Sequence, residues 1–289
     1  TEEYNVGTTV VVPGAWASAP SLNVPRSITG LSTGAGVQTA GIAAGGYDST
    51  ATNTASTEEY DGSSWTAETS MGNARRAGAG FGVQTALLIG GGYEASASTT
   101  KTEVYDGSSW TAGGVMVSNY HNLAGAGTTG AGLSFGSTEA STQTSSYDGS
   151  SWTATTAMPA GRGNGGGCGT QGAALAAGGF PVQTQTYEWG GSSWTAGGAL
   201  NTGISSSSNA FGTQTAAILA GNTAVPNGQS YDGTSWITSP VMGTVRNSYG
   251  AGGTQTSGMA FGGGWPPAPL GALTEEFTGE TTAANIQTI

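Results

Sequence analysis

The sequence predicts an all-β chain folded as one six-bladed β-propeller of four-stranded antiparallel blades, and three observations carry that prediction. First, a Tyr-Asp-Gly-Ser-Ser-Trp-Thr-Ala line recurs, cleanest at Tyr60 to Ala67, Tyr105 to Ala112 and Tyr147 to Ala154. Variants run from Tyr187 to Ala196, read with Trp189 and Gly190 as an insertion, and from Tyr231 to Trp236, while a degenerate copy ends at Trp16. Second, the tryptophans of these lines, Trp16, Trp65, Trp110, Trp152, Trp194 and Trp236, are spaced by 49, 45, 42, 42 and 42 residues. Third, no 3.6-residue apolar period runs inside the units, so a period of about 40 to 50 residues points to short strands in propeller blades and not to helical repeats.

The unit from Arg75 to Ala112 shows the elements most clearly. Arg76 to Gly82 reads as an innermost strand, where alternating Gly and Ala permit close approach around a narrow axis. Val83 to Gly91 follows as a buried second strand, a short apolar run closed by glycines. After a Ser/Thr-rich loop, Thr102 to Tyr105 alternates as the third strand, Asp106-Gly107 signals a tight turn, and Ser109 to Ala112 begins the outer strand. The inner pairs of the six units lie near 28–46, 76–92, 121–136, 162–179, 204–221 and 246–264, and this count agrees with the tryptophan count. The whole chain, 1–289, is read as one domain with units near 26–67, 75–112, 120–154, 162–196, 204–238 and 246–280, the last completed by 1–18. That last unit ends at its third strand, with Phe277 in the Tyr position and no Trp after it. A strand around Val10 to Trp16 is expected to supply the missing edge, because a ring closed in this way leaves no open ladder. Thr1 to Tyr4 repeats the third-strand signature and is surplus to this scheme.

Composition narrows the function classes. Glycine contributes 53 of 289 residues, but it recurs at fixed offsets from Tyr and Trp, as turns and close approaches require. The aromatic side chains supply a core between blades, and each repeat Trp and Tyr (Tyr60, Tyr105, Tyr147, Tyr187 and Tyr231) is expected to pack, the alternative for the Trp set being a ring of exposed stacking platforms. With 6 basic against 17 acidic residues and a net charge of −11, the chain cannot present a broad phosphate-binding surface, which excludes nucleic acid as a partner. So little charge suits a saline exterior, since screening removes little. Cys168 is the single cysteine, read as a small buried thiol, and no intrachain disulfide is possible. No run of about 18 apolar residues exists, so no helical membrane insertion is expected. The start at Thr1 is expected to mark a processed chain or a piece of a longer product.

A catalytic constellation is missing. A copper site of the kind found in some propeller oxidases needs more than one His, and His121 is the single histidine. A sialidase-like or other glycosidase site would need clustered arginines beside paired carboxylates. Arg75, Arg162 and Arg246 stand at equivalent positions, each nine residues before Gln84, Gln171 or Gln255, and would share one face of alternate blades. The simpler reading makes them repeat consensus, packing or pairing with a carboxylate. The acids are concentrated in third strands, at Glu58-Glu59, Glu103 and Glu275-Glu276, and in Asp-Gly turns, with no metal-cage spacing, so no metal and no cofactor is expected.

A Gly-Gly pair at the end of the second strand, here Gly45-Gly46, Gly90-Gly91, Gly178-Gly179 and Gly262-Gly263, followed by the Tyr and Trp of the third and fourth strands, resembles the kelch repeat. Gly136-Ser137 and Gly221-Asn222 depart from it. The lines at Thr57 to Ala67, Gly34 to Ala40 and Thr274 to Thr282 are similar to kelch-type repeats in structural proteins of viruses infecting marine bacteria. That resemblance implies a non-enzymatic virion protein on the particle surface or an appendage, with other virion proteins and host-surface glycan as partners. A secreted or cell-surface adhesion propeller and a glycosidase-type propeller are the alternatives. Binding is expected where the repeats disagree: Ser49 to Thr57, Tyr120-His121, Phe180 to Thr186 and Trp265 to Pro269. The candidate binding residues are Arg75, Tyr120, His121, Arg162, Arg246 and Trp265. Oligomeric state is not specified, as no heptad or trimerisation segment is visible.

Overall fold

The computed structural model describes residues 9–28, 36–50, 52–204, 209–221, 228–264 and 271–284. Among them the chain is all-β apart from a 3-10 turn at Thr138–Ala140. Six four-stranded antiparallel sheets form a six-bladed propeller. The innermost strands are Gly36–Val37, Ala79–Val83, Ala124–Thr128, Gly166–Gly169, Asn209–Thr213 and Gly250–Thr254. The outermost strands of the first five blades start at Trp65, Trp110, Trp152, Trp194 and Trp236. Ala15–Ala19 is the outer strand of the sixth blade, pairing with Thr274–Thr278, so the N-terminal segment closes the ring.

Small residues let neighbouring blades approach. The Phe81 ring of the second blade fills the space over Gly132 of the third, where an added methyl would lie 2.2 Å from the ring. Phe211 does the same over Gly258, so large and small side chains interlock across the interface instead of colliding. Each outer-strand indole then bridges to the preceding blade. Trp65, Trp152, Trp194 and Trp236 donate their Nε1–H to Oγ1 of Thr274, Thr102, Thr144 and Thr186 at 2.9 to 3.0 Å. Trp110 donates to Thr57 Oγ1 and to the Thr69 carbonyl. Trp16 uses the Pro240 carbonyl at 3.1 Å, because Gly228 replaces the threonine in the fifth blade. A second tie comes from the turn between the first two strands. Gln84, Gln171 and Gln214 each donate to two carbonyls of the preceding blade, those of Gly41 and Tyr60, Gly132 and Tyr147, and Ala174 and Trp189.

Four expectations shift in register. Val83 pairs with Ala86, so Gln84-Thr85 is the two-residue turn between the first two strands and not part of the second. The left-handed glycine pair of the second blade is Gly91-Gly92, since Gly90 still belongs to the second strand. Trp189 stands opposite Trp194 as Tyr60 stands opposite Trp65, so Trp189 fills the repeat tyrosine position, nothing is inserted, and Tyr187 lies two residues earlier. Closure is also displaced: Ala15–Ala19 fills the edge, whereas Thr9–Val12 pairs with Thr281–Ala284 beyond the blade. Pro13, which has no N–H for a ladder, and Gly14 separate the two stretches. The ribbon so formed continues beyond the Trp16–Phe277 pair, on the side of the ring where the Asp-Gly turns lie. The surplus Thr1 to Tyr4 segment lies outside the described residues.

Thr102→Val removes the hydroxyl that accepts the buried Trp152 indole N–H and is expected to cost about 1–3 kcal/mol. Thr57→Val is expected to cost less, because Trp110 keeps the Thr69 carbonyl at 3.1 Å. Parallel urea unfolding of the two variants measures the difference.

Candidate functional site

The two sides of the ring differ in kind. One carries the Asp-Gly turns, which are self-satisfied: Asp61 Oδ1 accepts the backbone N–H of Ser63 and Ser64, both at 2.7 Å, and Asp106, Asp148 and Asp232 repeat the arrangement. Hydrogen bonds from the Ser63 hydroxyl and from the Ser63 and Ser64 backbone hold the Asp61 carboxyl down to about 2. These acids are turn formers. The other side carries the blade-connecting segments and the loops between second and third strands, and there the repeats diverge.

The structure places the three sequence-predicted arginines inside the blades. Arg75, Arg162 and Arg246 are all buried, as is Arg26, which occupies the same position in the first blade. Each follows four residues after a buried Met or Leu of the connector, Met71, Met158, Met242 and Leu22, and the corresponding residues of the third and fifth blades are Tyr120 and Ile204. Arg75 pairs with Glu103 and donates to the Lys101 carbonyl, and Arg246 pairs with Glu275 and donates to the Leu273 carbonyl. Arg26 pairs with Glu58. The same carboxylates hold the connectors, Glu275 accepting from Gly243 N at 2.6 Å and Glu58 from Asn23 N at 2.7 Å. In the fourth blade Tyr187 takes the acid's place. Arg162 lies over its ring at 4.7 Å, and its Nη2 makes no hydrogen bond. Burial pushes the Arg162 guanidinium down to about 10, with Tyr187 countering. These arginines brace the frame and do not converge on a shared ligand.

The axis is narrow. A cavity of about 50 Å³ runs between the inner strands, lined by glycines, Phe81, Ala126, Ala210, Phe211 and Cys168. Burial pushes the Cys168 thiol up to about 12, so it stays neutral. Among the described residues no three His, Cys, Asp or Glu side chains are grouped as a metal would need.

A cleft of about 740 Å³ on the divergent side lies between the first and second blades. Tyr47 and Tyr93 follow directly on the glycine pairs Gly45-Gly46 and Gly91-Gly92, whose positive φ turns the chain outward from the sheet. Arg76 lies between their rings, 4.7 Å from Tyr47 and 4.6 Å from Tyr93. Its Nη1 donates to Asn53 Oδ1 at 2.5 Å, and Asn53 Nδ2 donates to the Tyr93 carbonyl at 2.8 Å. Lys101 Nζ at the rim reaches Asn73 Oδ1 at 2.6 Å and Glu94 Oε2 at 3.0 Å. His121 stands edge-on to Tyr93 at 5.1 Å, with Ser98 Oγ 2.8 Å and Thr138 Oγ1 3.2 Å from its Nδ1. It props the cleft from behind. Tyr120 is half-buried, and its carbonyl accepts from Gly92 N. Elsewhere on this side Phe180 and Val182 are exposed, and Trp265 lies outside the described residues.

Of the six candidate binding residues, His121 is the one that reaches this cleft, through Tyr93. Sequence reasoning missed Tyr47, Asn73, Arg76, Tyr93, Glu94 and Lys101, whereas Thr52 and Asn53 of the wall fall within the divergent Ser49 to Thr57 segment. Two signals pointed there: a Gly-Gly-Tyr-acid run at Gly45 to Asp48 and again at Gly91 to Glu94, and the doubling of arginine at 75 and 76. Compared with protein-family models and with curated proteins, the chain matches none.

Glu103→Leu strands a buried guanidinium and is expected to cost about 3–5 kcal/mol, with the Arg75→Met/Glu103→Leu pair recovering much of it; denaturation midpoints of the cycle test this. Cys168 has a folded pKa raised above the roughly 8.5 of an unfolded thiol. Its contribution to stability is therefore complete below about pH 8.5 and falls as pH rises toward 12. Iodoacetamide at pH 8.5 is expected to label the thiol only after denaturation, as mass spectrometry reads directly.

Proposed function

We propose that this propeller is a non-enzymatic recognition module of a virion, carried on the particle surface or an appendage, with its divergent loop side turned to the host. The observation that carries the reading is the segregation of the two sides. The Asp-Gly turns repeat one self-contained geometry, whereas the connectors and second loops differ from blade to blade and enclose the 740 Å³ cleft. Variable loops on a rigid scaffold are where binding is built.

Three further points support it. The arginines that a glycosidase reading would recruit are spent on frame contacts with Glu58, Glu103, Glu275 and Tyr187. The axial cavity offers no acid or base beside a neutral thiol. The paired ribbon leaves the ring on the Asp-Gly side, away from the cleft, so a body mounted by that ribbon would present the cleft outward. The resemblance of the Thr57 to Ala67 and Thr274 to Thr282 lines to virion repeats gives the setting. Host-surface glycan and neighbouring virion proteins are the proposed partners.

Antibody raised against the purified chain, used in immunogold imaging of intact particles and of cells from the same culture, is expected to label particles. Labelling of cells with bare particles would transfer the chain to cell-surface adhesion.

A further inference from the structure

The cleft holds the cations that the frame leaves over. The chain has six basic residues in a net charge of −11. Arg26, Arg75, Arg162 and Arg246 are buried inside blades. The other two, Arg76 and Lys101, meet at the same cleft: Arg76 lines it, and Lys101 hydrogen-bonds Asn73 and Glu94 of its wall. They arrive from different segments, one the connector between blades and the other the loop between second and third strands.

We infer that this cleft binds a carboxylated sugar residue of a glycan, an inference that rests on reading the divergent side as the recognition side. The wall carries Arg76 and Glu94, and Lys101 at the rim pairs with Glu94, so the three together leave one net positive charge, which suits a single carboxylate. A doubly charged phosphate or a polyanion would meet Glu94 at the wall and the repulsion of an acidic chain beyond it. Of the remaining polar wall, Asn73 presents its amide Nδ2 as a donor to a sugar hydroxyl, while Asn53 is engaged by Arg76 and the Tyr93 carbonyl and the Thr52 hydroxyl by Asp48. Asp48 is occupied elsewhere, accepting from Thr50 N at 2.9 Å and from the Thr50 hydroxyl at 2.6 Å. The two tyrosine rings hold the Arg76 fork in place before a ligand arrives, which reduces the ordering cost of a carboxylate contact. A volume of about 740 Å³ lies in the range of small-ligand pockets and fits a short saccharide, not a flat protein interface.

The test is calorimetric titration of the full chain with 3′-sialyllactose, a glucuronate-containing disaccharide, lactose and inorganic phosphate. The carboxylated sugars are expected to bind at least tenfold more tightly than lactose or phosphate. Arg76→Gln is expected to weaken them at least tenfold and Lys101→Gln about threefold to tenfold. Lys101 is half exposed, so its variant keeps the fold, and matched thermal melts control for Arg76→Gln. Lactose binding as tightly as sialyllactose, with loss in Tyr93→Ala, would overturn the acidic preference while leaving a glycan-recognition side. Phosphate binding as tightly as the acidic sugars would reduce the site to a simple anion hole and overturn the inference. Silence toward every saccharide, with particles still labelled by antibody, would overturn this inference and leave the virion assignment standing. A protein ligand captured at the cleft in place of any sugar would also overturn it.

Discussion

A blade of four short strands has two faces, and in a ring each must be covered by a neighbour. The contact that makes this possible is the outer-strand indole laid across the blade boundary, its N–H on the threonine that opens the third strand of the preceding blade. Trp152 on Thr102, Trp194 on Thr144 and Trp236 on Thr186 make it within 0.1 Å of one another. The indole contributes apolar area and a directional bond at once, so it sets both how close blades come and at what height they meet. The small residues under Phe81 and Phe211 and the glutamine ties follow from that spacing. A longer side chain at Gly132 or Gly258 would push neighbouring blades apart and break the indole contact with them.

Beneath this ring of contacts lies a second repeated unit that tolerates exchange. Arg with Glu recurs in the first, second and sixth blades, and the carboxylate also takes backbone N–H groups of the connector. The fifth blade has Ile204 and Gln229 instead, with the Gln229 amide oxygen accepting from Asn201 N at 2.8 Å. In the fourth blade Pro159 stands where the connector N–H would be, and Tyr187 stands where the acid would be. The loss of donor and acceptor goes together. Arg162 survives there by stacking on the ring, since a desolvated guanidinium that lacks a carboxylate is favoured by the negative face of an aromatic.

Blade number, antiparallel order and N-terminal closure could be read from the sequence because Trp and Gly recur at offsets that only one architecture uses. The details that escaped have local causes. Tyr187 imitates the repeat tyrosine two residues too early, and counting back from Trp194 identifies Trp189 as the true occupant. Arg26 was hidden because its connector places it twelve residues before Gln38, where the other units use nine. The apolar run after Val83 drew the second strand across a turn whose glutamine is needed outside the sheet. The cleft was the least legible feature. It gathers Tyr47, Thr52 and Asn53 with residues 72–76 and 93–95, and nothing within any one segment says that ring closure sets Arg76 between two tyrosines. His121 was singled out because it lies where the repeats disagree, and it stands edge-on to Tyr93.

The ribbon formed by Thr9–Val12 and Thr281–Ala284 brackets the propeller between two paired strands. Its two arms are adjacent, antiparallel and in register, as the arms of any β-hairpin are. Seen from the ribbon, the entire propeller is the loop of that hairpin. Such a loop can be spliced into a host sheet at a hairpin tip without disturbing the host's strand order, and removed again with only a short turn to seal the gap.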